Sequence, residues 1–131
     1  MIIRKYTKQD EKALMSLITQ EGEEWACYYD DEHQEAYKKN LSQSIVHLAV
    51  INDKIVGYVR ALEDYGFYIY VCDLLVSKSY RGQDIGRKLM ESLYLDYPSL
   101  TVFVMSDTDE YYKKLGYHQE GHIFEVKRPL K

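Results

Sequence analysis

The segment best suited to bind a ligand is residues 80–88, which read YRGQDIGRK. An apolar run precedes it and a helical pattern follows it, so it lies where a strand ends and a helix begins. The first N–H groups of a helix have no partners inside the helix, and the helix dipole adds partial positive charge there. Gly82 and Gly86 allow close approach of the backbone, and Arg81 and Arg87 add full charges. The segment is therefore predicted to bind an anion such as a pyrophosphate, a plain strand–helix turn being the alternative.

Two well-known phosphate motifs do not account for this segment. It lacks the Gly-Lys-Ser/Thr ending of a Walker loop, and its glycine spacing differs from the dinucleotide-binding fingerprint.

A second segment whose residues could bind a ligand is 21–35, which holds seven acidic residues, no Lys or Arg, and the single tryptophan. Acids among aromatic rings attract a cationic amine through Coulomb and cation–π interactions. The candidate amine-binding residues are Glu24, Trp25 and Tyr29. A solvated acidic loop is the alternative reading of this segment.

The periodicity of apolar residues predicts the elements that must position these two segments. Strands are expected at 2–6, 46–51, 55–62, 67–76, 100–105, 117–120 and 122–127. Helices are expected at 8–20, at about 31–42, at 82–97 and at about 107–115. The order βααβββαβαββ predicts an α+β fold with a mixed central β-sheet flanked by helices. The strand–helix–strand unit over 67–105 implies one parallel pair of strands.

Composition narrows the function classes. A chain of 131 residues with 46% hydrophobic residues predicts one globular domain, 1–131, and excludes a disordered protein. A net charge of −4 argues against a nucleic-acid-coating protein. No apolar run reaches the ~18 residues of a membrane span, and the N-terminus lacks a signal-peptide pattern. We therefore expect a cytoplasmic protein with reduced Cys27 and Cys72, no bound metal, and neither a membrane nor a nucleic acid as partner.

Residues 74–86, LLVSKSYRGQDIG, resemble the acetyl-CoA motif of the GCN5-related N-acetyltransferase (GNAT) superfamily. That family's loop reads Arg/Gln-x-x-Gly-x-Gly/Ala after a strand. Residues 110–117, EYYKKLGY, are similar to a second family segment, and the predicted element order agrees with the GNAT fold. The one departure is Asp84, which stands where the family has its middle glycine and brings a negative charge towards the expected pyrophosphate.

The resemblance implies acetyl-CoA as co-substrate. It implies that backbone groups of the apolar strand end bind the pantetheine arm and that the loop and first helical turn hold the pyrophosphate. The implied cofactor-binding residues are Leu74, Leu75, Val76, Arg81, Gly82, Gln83, Asp84, Ile85, Gly86 and Arg87.

The resemblance also aligns Tyr112 with a frequent general acid of the family, which protonates the leaving thiolate. Asp73 adjoins the cofactor strand and is the favoured candidate for the general base. Glu24, His47 and a chain of water molecules are the rival bases.

The function expected from the resemblance is transfer of an acetyl group from acetyl-CoA to a primary amine of a small cationic molecule. Two alternatives stay open: a non-catalytic acyl-CoA-binding module, and an acetyltransferase that acts on a protein N-terminus or lysine. The sequence does not fix the oligomeric state, and a homodimer is compatible with it.

Overall fold

The computed structural model describes residues 1–129, and a five-stranded sheet forms its centre. The strands lie side by side in chain order: β1 (Ile2–Lys5), β2 (Ile45–Ile51), β3 (Lys54–Asp64), β4 (Tyr68–Val76) and β5 (Thr101–Val104). Neighbouring strands are antiparallel except β4 and β5, which are parallel. The predicted α+β class, mixed sheet and parallel pair are thereby confirmed.

Helices cover both faces of this sheet. On one face, α1 (Glu11–Gln20), α2 (Ala26–Tyr29) and α3 (Gln34–Gln43) pack over a core that includes Tyr58 and Leu75. On the other face, α4 (Ile85–Asp96) packs over a second core that includes Val59 and Val71. The short helix α5 (Asp109–Lys114) follows β5. Strand β4 thus lies between two apolar cores, as its continuous apolar sequence predicts.

A β-bulge divides β4 into two parts. Arg60 of β3 pairs with Asp73, but the next residue of β3 pairs with Val71, so Cys72 is an extra residue in β4. Pairing of β4 with β5 ends at Val71 and Val104. Beyond the bulge, residues 74–76 pair with β3 but not with β5, and we call the space beside this edge of β4, past the end of β5, the cleft.

The bulge also reverses which side chains face which core. Ile69 and Val71 point towards α4 before the bulge, whereas Leu74 and Val76 do so after it. Leu75 therefore packs under α1 and α3. The side chains of β4 therefore do not alternate regularly between the two sheet faces along the whole strand.

Two boundaries differ from the sequence-based expectation. Helix α4 begins at Ile85 rather than at 82, because Gly82 and Asp84 have φ angles of 83° and 67°. Such left-handed conformations cannot belong to a right-handed helix. In addition, the short helix α2 forms inside the acidic segment, where only a loop and a helix start were expected.

The strands predicted at 117–120 and 122–127 are not formed. Residues 117–129 contain neither helix nor strand, and residues 118–129 are all exposed. A strand needs a hydrogen-bonding neighbour as well as an alternating sequence, and this segment has no such neighbour within residues 1–129.

Within the same described range, no helix is long and apolar enough to cross a membrane.

Candidate active site

The cleft between the ends of β4 and β5 lies beside the first turn of α4. The first helical hydrogen bond of α4 runs from Lys88 N to the carbonyl of Asp84 at 3.2 Å. The N–H groups of residues 85–87 precede that bond and have no partner inside the helix. The predicted anion-binding loop is therefore a real helix start, placed at the open end of β4.

Gly86 leaves room for a neighbouring side chain at this helix start. An ideal Cβ at Gly86 would lie 2.5 Å from the hydroxyl oxygen of Tyr111 and 3.5 Å from Cδ2 of Leu74. The first contact is shorter than real Cβ atoms allow, so a larger residue would displace Tyr111. The phenol of Tyr111 thus lies between α4 and the end of β4, at the border of the cleft.

Asp84 adopts the backbone conformation that a glycine would provide. Its φ angle of 67° is left-handed, which Asp and Asn tolerate better than most residues. Its carboxylate does not cap α4 but accepts hydrogen bonds from Nε of Arg87 at 2.8 and 2.9 Å. The Arg87 guanidinium lowers the pKa of Asp84. The carboxylate is therefore turned towards a cation, which limits its repulsion of a bound anion.

Arg81 joins the cleft to the neighbouring helix layer. Its Nε donates a hydrogen bond to the Val76 carbonyl at 2.9 Å, and its guanidinium pairs with Glu21 at the end of α1. Part of the charge of Arg81 is therefore offset by Glu21. The resemblance implies that Arg81 binds the pyrophosphate. In the structure Arg81 also links the end of β4 to the end of α1 through Val76 and Glu21.

Asp73 lies at the centre of a buried hydrogen-bond network. One carboxylate oxygen accepts from the Tyr28 hydroxyl at 2.7 Å, and the other accepts from the Tyr37 hydroxyl at 2.7 Å and from Nε of Arg60 at 2.6 Å. The Tyr37 hydroxyl also meets the Tyr58 hydroxyl at 2.6 Å. Burial raises the pKa of Tyr37, so its phenol stays protonated and can donate.

This network limits what Asp73 can do as a base. The residue is only 4% exposed, and Arg60 offsets its negative charge. Both of its carboxylate oxygens are already occupied by the donors Tyr28, Tyr37 and Arg60. The geometry favours a positioning role, in which Asp73 holds β4 against α2 and α3.

Tyr28 is the site residue that sequence reasoning missed. It lies in α2, between the predicted residues Trp25 and Tyr29, and it ties the acidic segment to Asp73. The Trp25 and Tyr28 rings lie 5.5 Å apart, and both Trp25 and Tyr29 pack on the core under α1 and α3. Glu24 is exposed beside them. No local pattern links Tyr28 to a residue so distant in the chain.

His47 lies away from this site. Its ring contacts Ser92 at 2.8 Å and Asp96 at 3.2 Å, both on α4. The network of Asp73 lies on the opposite face of the sheet, under α2 and α3. The structure therefore does not bring His47 together with the other candidate bases.

Two neighbouring tyrosines lie on α5. The Tyr112 ring packs against the α4 core and stacks on Tyr117, with ring centres 6.4 Å apart. Burial, with a smaller contribution from Asp107, raises the pKa of Tyr112 to about 12. The Tyr111 and Tyr112 rings meet edge to face at 5.1 Å. Both phenols are protonated at neutral pH and could donate a proton.

Comparison with known proteins decides the family. The model of the acetyltransferase (GNAT) domain matches residues 5–128. The chain belongs to this family. The expected family and its fold are thus confirmed over nearly the whole chain.

Solved structures similar to this GNAT chain include several aminoglycoside acetyltransferases. An aminoglycoside 6'-acetyltransferase type Ii is 26% identical, with a TM-score of 0.75 over 92% of this chain and 85% of that one. An aminoglycoside acetyltransferase from an uncultured soil metagenomic sample is 24% identical, with a TM-score of 0.75 over 98% of each chain, which supports the fold alone.

Another relative of this chain is named as an acetyltransferase of a different kind. "Histone acetyltransferase TAP1" of Glycine max is 32% identical over 72 residues, which cover 51% of this chain. The match spans only 31% of that relative's own length.

Proposed function

We propose that this GNAT chain transfers an acetyl group from acetyl-CoA to a primary amine of a small cationic molecule. The observation that carries the proposal is the cleft left by the bulge at Cys72, with the first turn of α4 at its open end. A strand edge suits an extended amide-bearing arm, and a helix start suits a pyrophosphate.

The residues that line this cleft fit acetyl-CoA. Backbone groups of residues 74–76 would bind the pantetheine arm, and the N–H groups of residues 85–87 would hold the pyrophosphate. Arg87 and Lys88 lie on the first turn of α4 and add positive charge. Gly82, with a φ angle of 83°, shapes the loop that leads there. Because Arg81 already donates to the Val76 carbonyl, the other backbone groups of this strand end would carry most of the arm's hydrogen bonds.

The acceptor amine is proposed to enter from the side of α2. Tyr28 connects the acidic segment 21–35 to Asp73, directly before the cofactor strand. Exposed Glu24 and the rings of Trp25 and Tyr29 would attract and hold a cationic group there. Support for a small molecule comes from the similar solved structure named as an aminoglycoside 6'-acetyltransferase type Ii.

The proposal assigns a role in the reaction to Tyr112 and a positioning role to Asp73. Acetyl-CoA, when bound, supplies a thioester that an amine can attack. Tyr112, with a pKa raised to about 12, keeps its proton at neutral pH and would donate it to the leaving thiolate sulfur. Asp73 would fix the position of β4 through its hydrogen bonds with Arg60, Tyr28 and Tyr37. A water molecule would accept the proton that the amine loses.

The remaining expectations stay part of the proposal. One domain, 1–131, would carry the whole site, and the cytoplasm is the proposed location, supported by free Cys27 and Cys72.

A thiol-release screen tests this function. Purified protein would be incubated with acetyl-CoA and, separately, polyamines, aminoglycosides, amino acids and peptides, with acetyl-CoA binding measured by calorimetry in parallel. We expect binding without amine, and CoA release only with small polycationic amines. Binding without release from any amine would make the chain an acyl-CoA-binding module.

A second candidate function is acetylation of a protein lysine or N-terminus. The observation that favours it is the likeness to a relative named as a histone acetyltransferase. In the same screen, release of CoA with peptides but not with polyamines or aminoglycosides would favour this candidate.

A further inference from the structure

Three aromatic rings form an exposed cluster on the sheet face that α1, α2 and α3 cover elsewhere. The rings of Tyr68, Tyr70 and Phe103 lie 5.1–5.9 Å apart, and the two tyrosines are 37% and 43% exposed. Because Ile69 and Val71 point towards α4, the alternation along this part of β4 places both tyrosines on the opposite face. We call the three rings the aromatic platform. Contiguous exposed apolar surface with polar residues at its border is typical of a binding surface.

The aromatic platform reaches the point where β4 and β5 stop pairing, which is the inner end of the cleft. Tyr70 pairs with Phe103, and the next pair, Val71 with Val104, is the last. Successive residues of a strand are about 3.3 Å apart, so the platform begins within one residue of this point. In the proposed function the pyrophosphate lies at the start of α4 and the arm lies along residues 74–76. The thioester at the far end of the arm would therefore lie beside the platform.

The α4 side of this point is filled by apolar side chains. Val71 is 2% exposed and packs, with Val104 and Tyr112, in the core under α4. An amine that attacks the thioester would therefore approach from the face that carries the platform. The part of the amine molecule that does not react would then lie over the three rings.

Acidic groups lie at both ends of the platform. Helix α2 covers the same face further along β4, where Tyr28 donates its hydrogen bond to Asp73, so the acidic segment 21–35 adjoins the platform. At the other end, Asp64 pairs with Tyr68 and is exposed. Rings flanked by acids suit a molecule that carries both a cationic group and an apolar body.

We propose that the acceptor carries its primary amine on a ring, which packs on the aromatic platform while a second ammonium group faces segment 21–35. This inference rests on the proposed function, since it names the class of amine that the same site accepts. A rigid ring offers a broad apolar face to the three rings, whereas a linear polyamine loses more conformational freedom on binding. The platform therefore selects cyclic diamines over linear diamines of equal charge.

Matched diamines provide the test. Xylylenediamine carries two aminomethyl groups on a benzene ring, its saturated analogue carries them on a cyclohexane ring, and the linear alkane diamine with the same number of carbon atoms is the comparison. We expect kcat/KM, from thiol release, to be about 2–10-fold higher for the cyclic diamines, the range that packing on aromatic rings contributes. A preference for only one of them would define the ring as aromatic or saturated. No preference for either cyclic diamine overturns the proposal.

Variants of the platform show whether these rings cause the preference. Tyr68→Ser/Tyr70→Ser removes two exposed rings and should abolish the preference, whereas Tyr68→Phe/Tyr70→Phe keeps the rings and should retain it. The matched control is Tyr65→Ser, which removes a tyrosine that is 81% exposed in the turn between β3 and β4. It should also retain the preference. An unchanged preference in the serine double variant, or an equal loss in Tyr65→Ser, overturns the proposal.

A second copy of the chain is the rival occupant of the platform. Light scattering during size-exclusion chromatography would measure the mass of the unaltered protein and of Tyr68→Ser/Tyr70→Ser. We expect the same mass for both. A dimer that becomes a monomer in the double variant would assign the rings to a contact between copies and overturn the proposal.

Calorimetry separates the failure of this inference from the failure of the proposed function. The affinity of each diamine would be measured with CoA bound, so that no turnover is needed. If no amine releases CoA, acetyl transfer is refuted, whereas tighter binding of the cyclic diamines that is lost in Tyr68→Ser/Tyr70→Ser still supports the platform. If CoA is released but cyclic and linear diamines bind and react equally, the platform is refuted and acetyl transfer stands.

Discussion

At the scale of single residues, the two adjacent tyrosines of α5 give the sharpest test of mechanism. We expect Tyr112→Phe to lower kcat by about 10–10⁴-fold with little change in acetyl-CoA affinity, because general acids contribute about 10²–10⁴-fold and water replaces part of a lost phenol. Tyr111→Phe is its matched partner. The Tyr111 hydroxyl lies against Gly86, so we expect a change in acetyl-CoA affinity with kcat retained. Steady-state kinetics and calorimetry on both variants test this assignment. A lower kcat in Tyr111→Phe, with kcat retained in Tyr112→Phe, would mean that Tyr111 is the general acid.

Asp84 separates the effect of charge from the effect of backbone conformation. Asp84→Asn keeps a residue that tolerates a φ angle of 67° but removes the charge, whereas Asp84→Gly removes both the charge and the strain. We expect both variants to bind acetyl-CoA as tightly as the unaltered protein, or more tightly, because each removes a negative charge near the pyrophosphate. A marked loss of affinity in both would show that the carboxylate, through Arg87, helps to bind the ligand.

At the scale of elements, the contact of α2 with β4 through Tyr28 should control the acceptor site. Tyr28→Phe removes one hydrogen bond to a buried carboxylate, so we expect a loss of about 1–2 kcal/mol in unfolding free energy. Because α2 would be less firmly held, KM for the amine should rise while kcat changes little. Tyr65→Phe is the control, since it removes a hydroxyl from an exposed residue outside α2 and leaves the bond to Asp73 intact. An equal effect of both variants on KM would refute this role of Tyr28.

The start of α1 provides a prediction about pH. Arg4 donates two hydrogen bonds to Asp10, at 2.8 and 2.9 Å, and Thr7 N donates a third at 2.8 Å. The Arg4 guanidinium is the main cause that lowers the pKa of Asp10 to about 2. A lowered folded-state pKa means that the stabilisation is complete above the unfolded value of ~3.9 and disappears as the pH falls towards about 2.

The matching measurement is urea denaturation between pH 7 and pH 2. We expect the free energy of unfolding of the unaltered protein to be about 1 kcal/mol larger than that of Asp10→Asn at pH 7, after allowance for solvent screening. This difference should be lost as the pH falls towards 2. A difference independent of pH would show that the ionised carboxylate is not the source of the stabilisation.

What the sequence predicts and what it does not can be traced to particular elements. The strand end at Val76 and the helix that follows it were predictable, because apolar runs and helical periodicity are local patterns, but the helix begins at Ile85 rather than at the expected residue 82. The bulge at Cys72 was not, since it depends on the register between β3 and β4. The contact of Tyr28 with Asp73 and the location of His47 under α4 arise only from tertiary packing.

At the scale of the whole molecule, charge is divided between the two proposed substrate sites. The first turn of α4 carries Arg87 and Lys88, whereas segment 21–35 carries seven acidic residues and no Lys or Arg. The net charge of −4 is therefore not evenly distributed. Such a division would attract anionic CoA to one side of the cleft and a cationic amine to the other, and the attraction should weaken with salt.

Neutralising the exposed pair Glu23→Gln/Glu24→Gln tests this division. We expect kcat/KM for a polyamine to fall by about 3–10-fold at low ionic strength, because steering raises on-rates by at least tenfold when all the charges act together. The difference should shrink at ~1 M salt, where the Debye length is about 3 Å, and acetyl-CoA affinity should not change. Asp53→Asn/Asp64→Asn is the matched control: it changes the net charge equally at two exposed positions of the β2–β3 hairpin. Equal losses in both double variants would mean that total charge, rather than the acidic segment beside α2, attracts the amine.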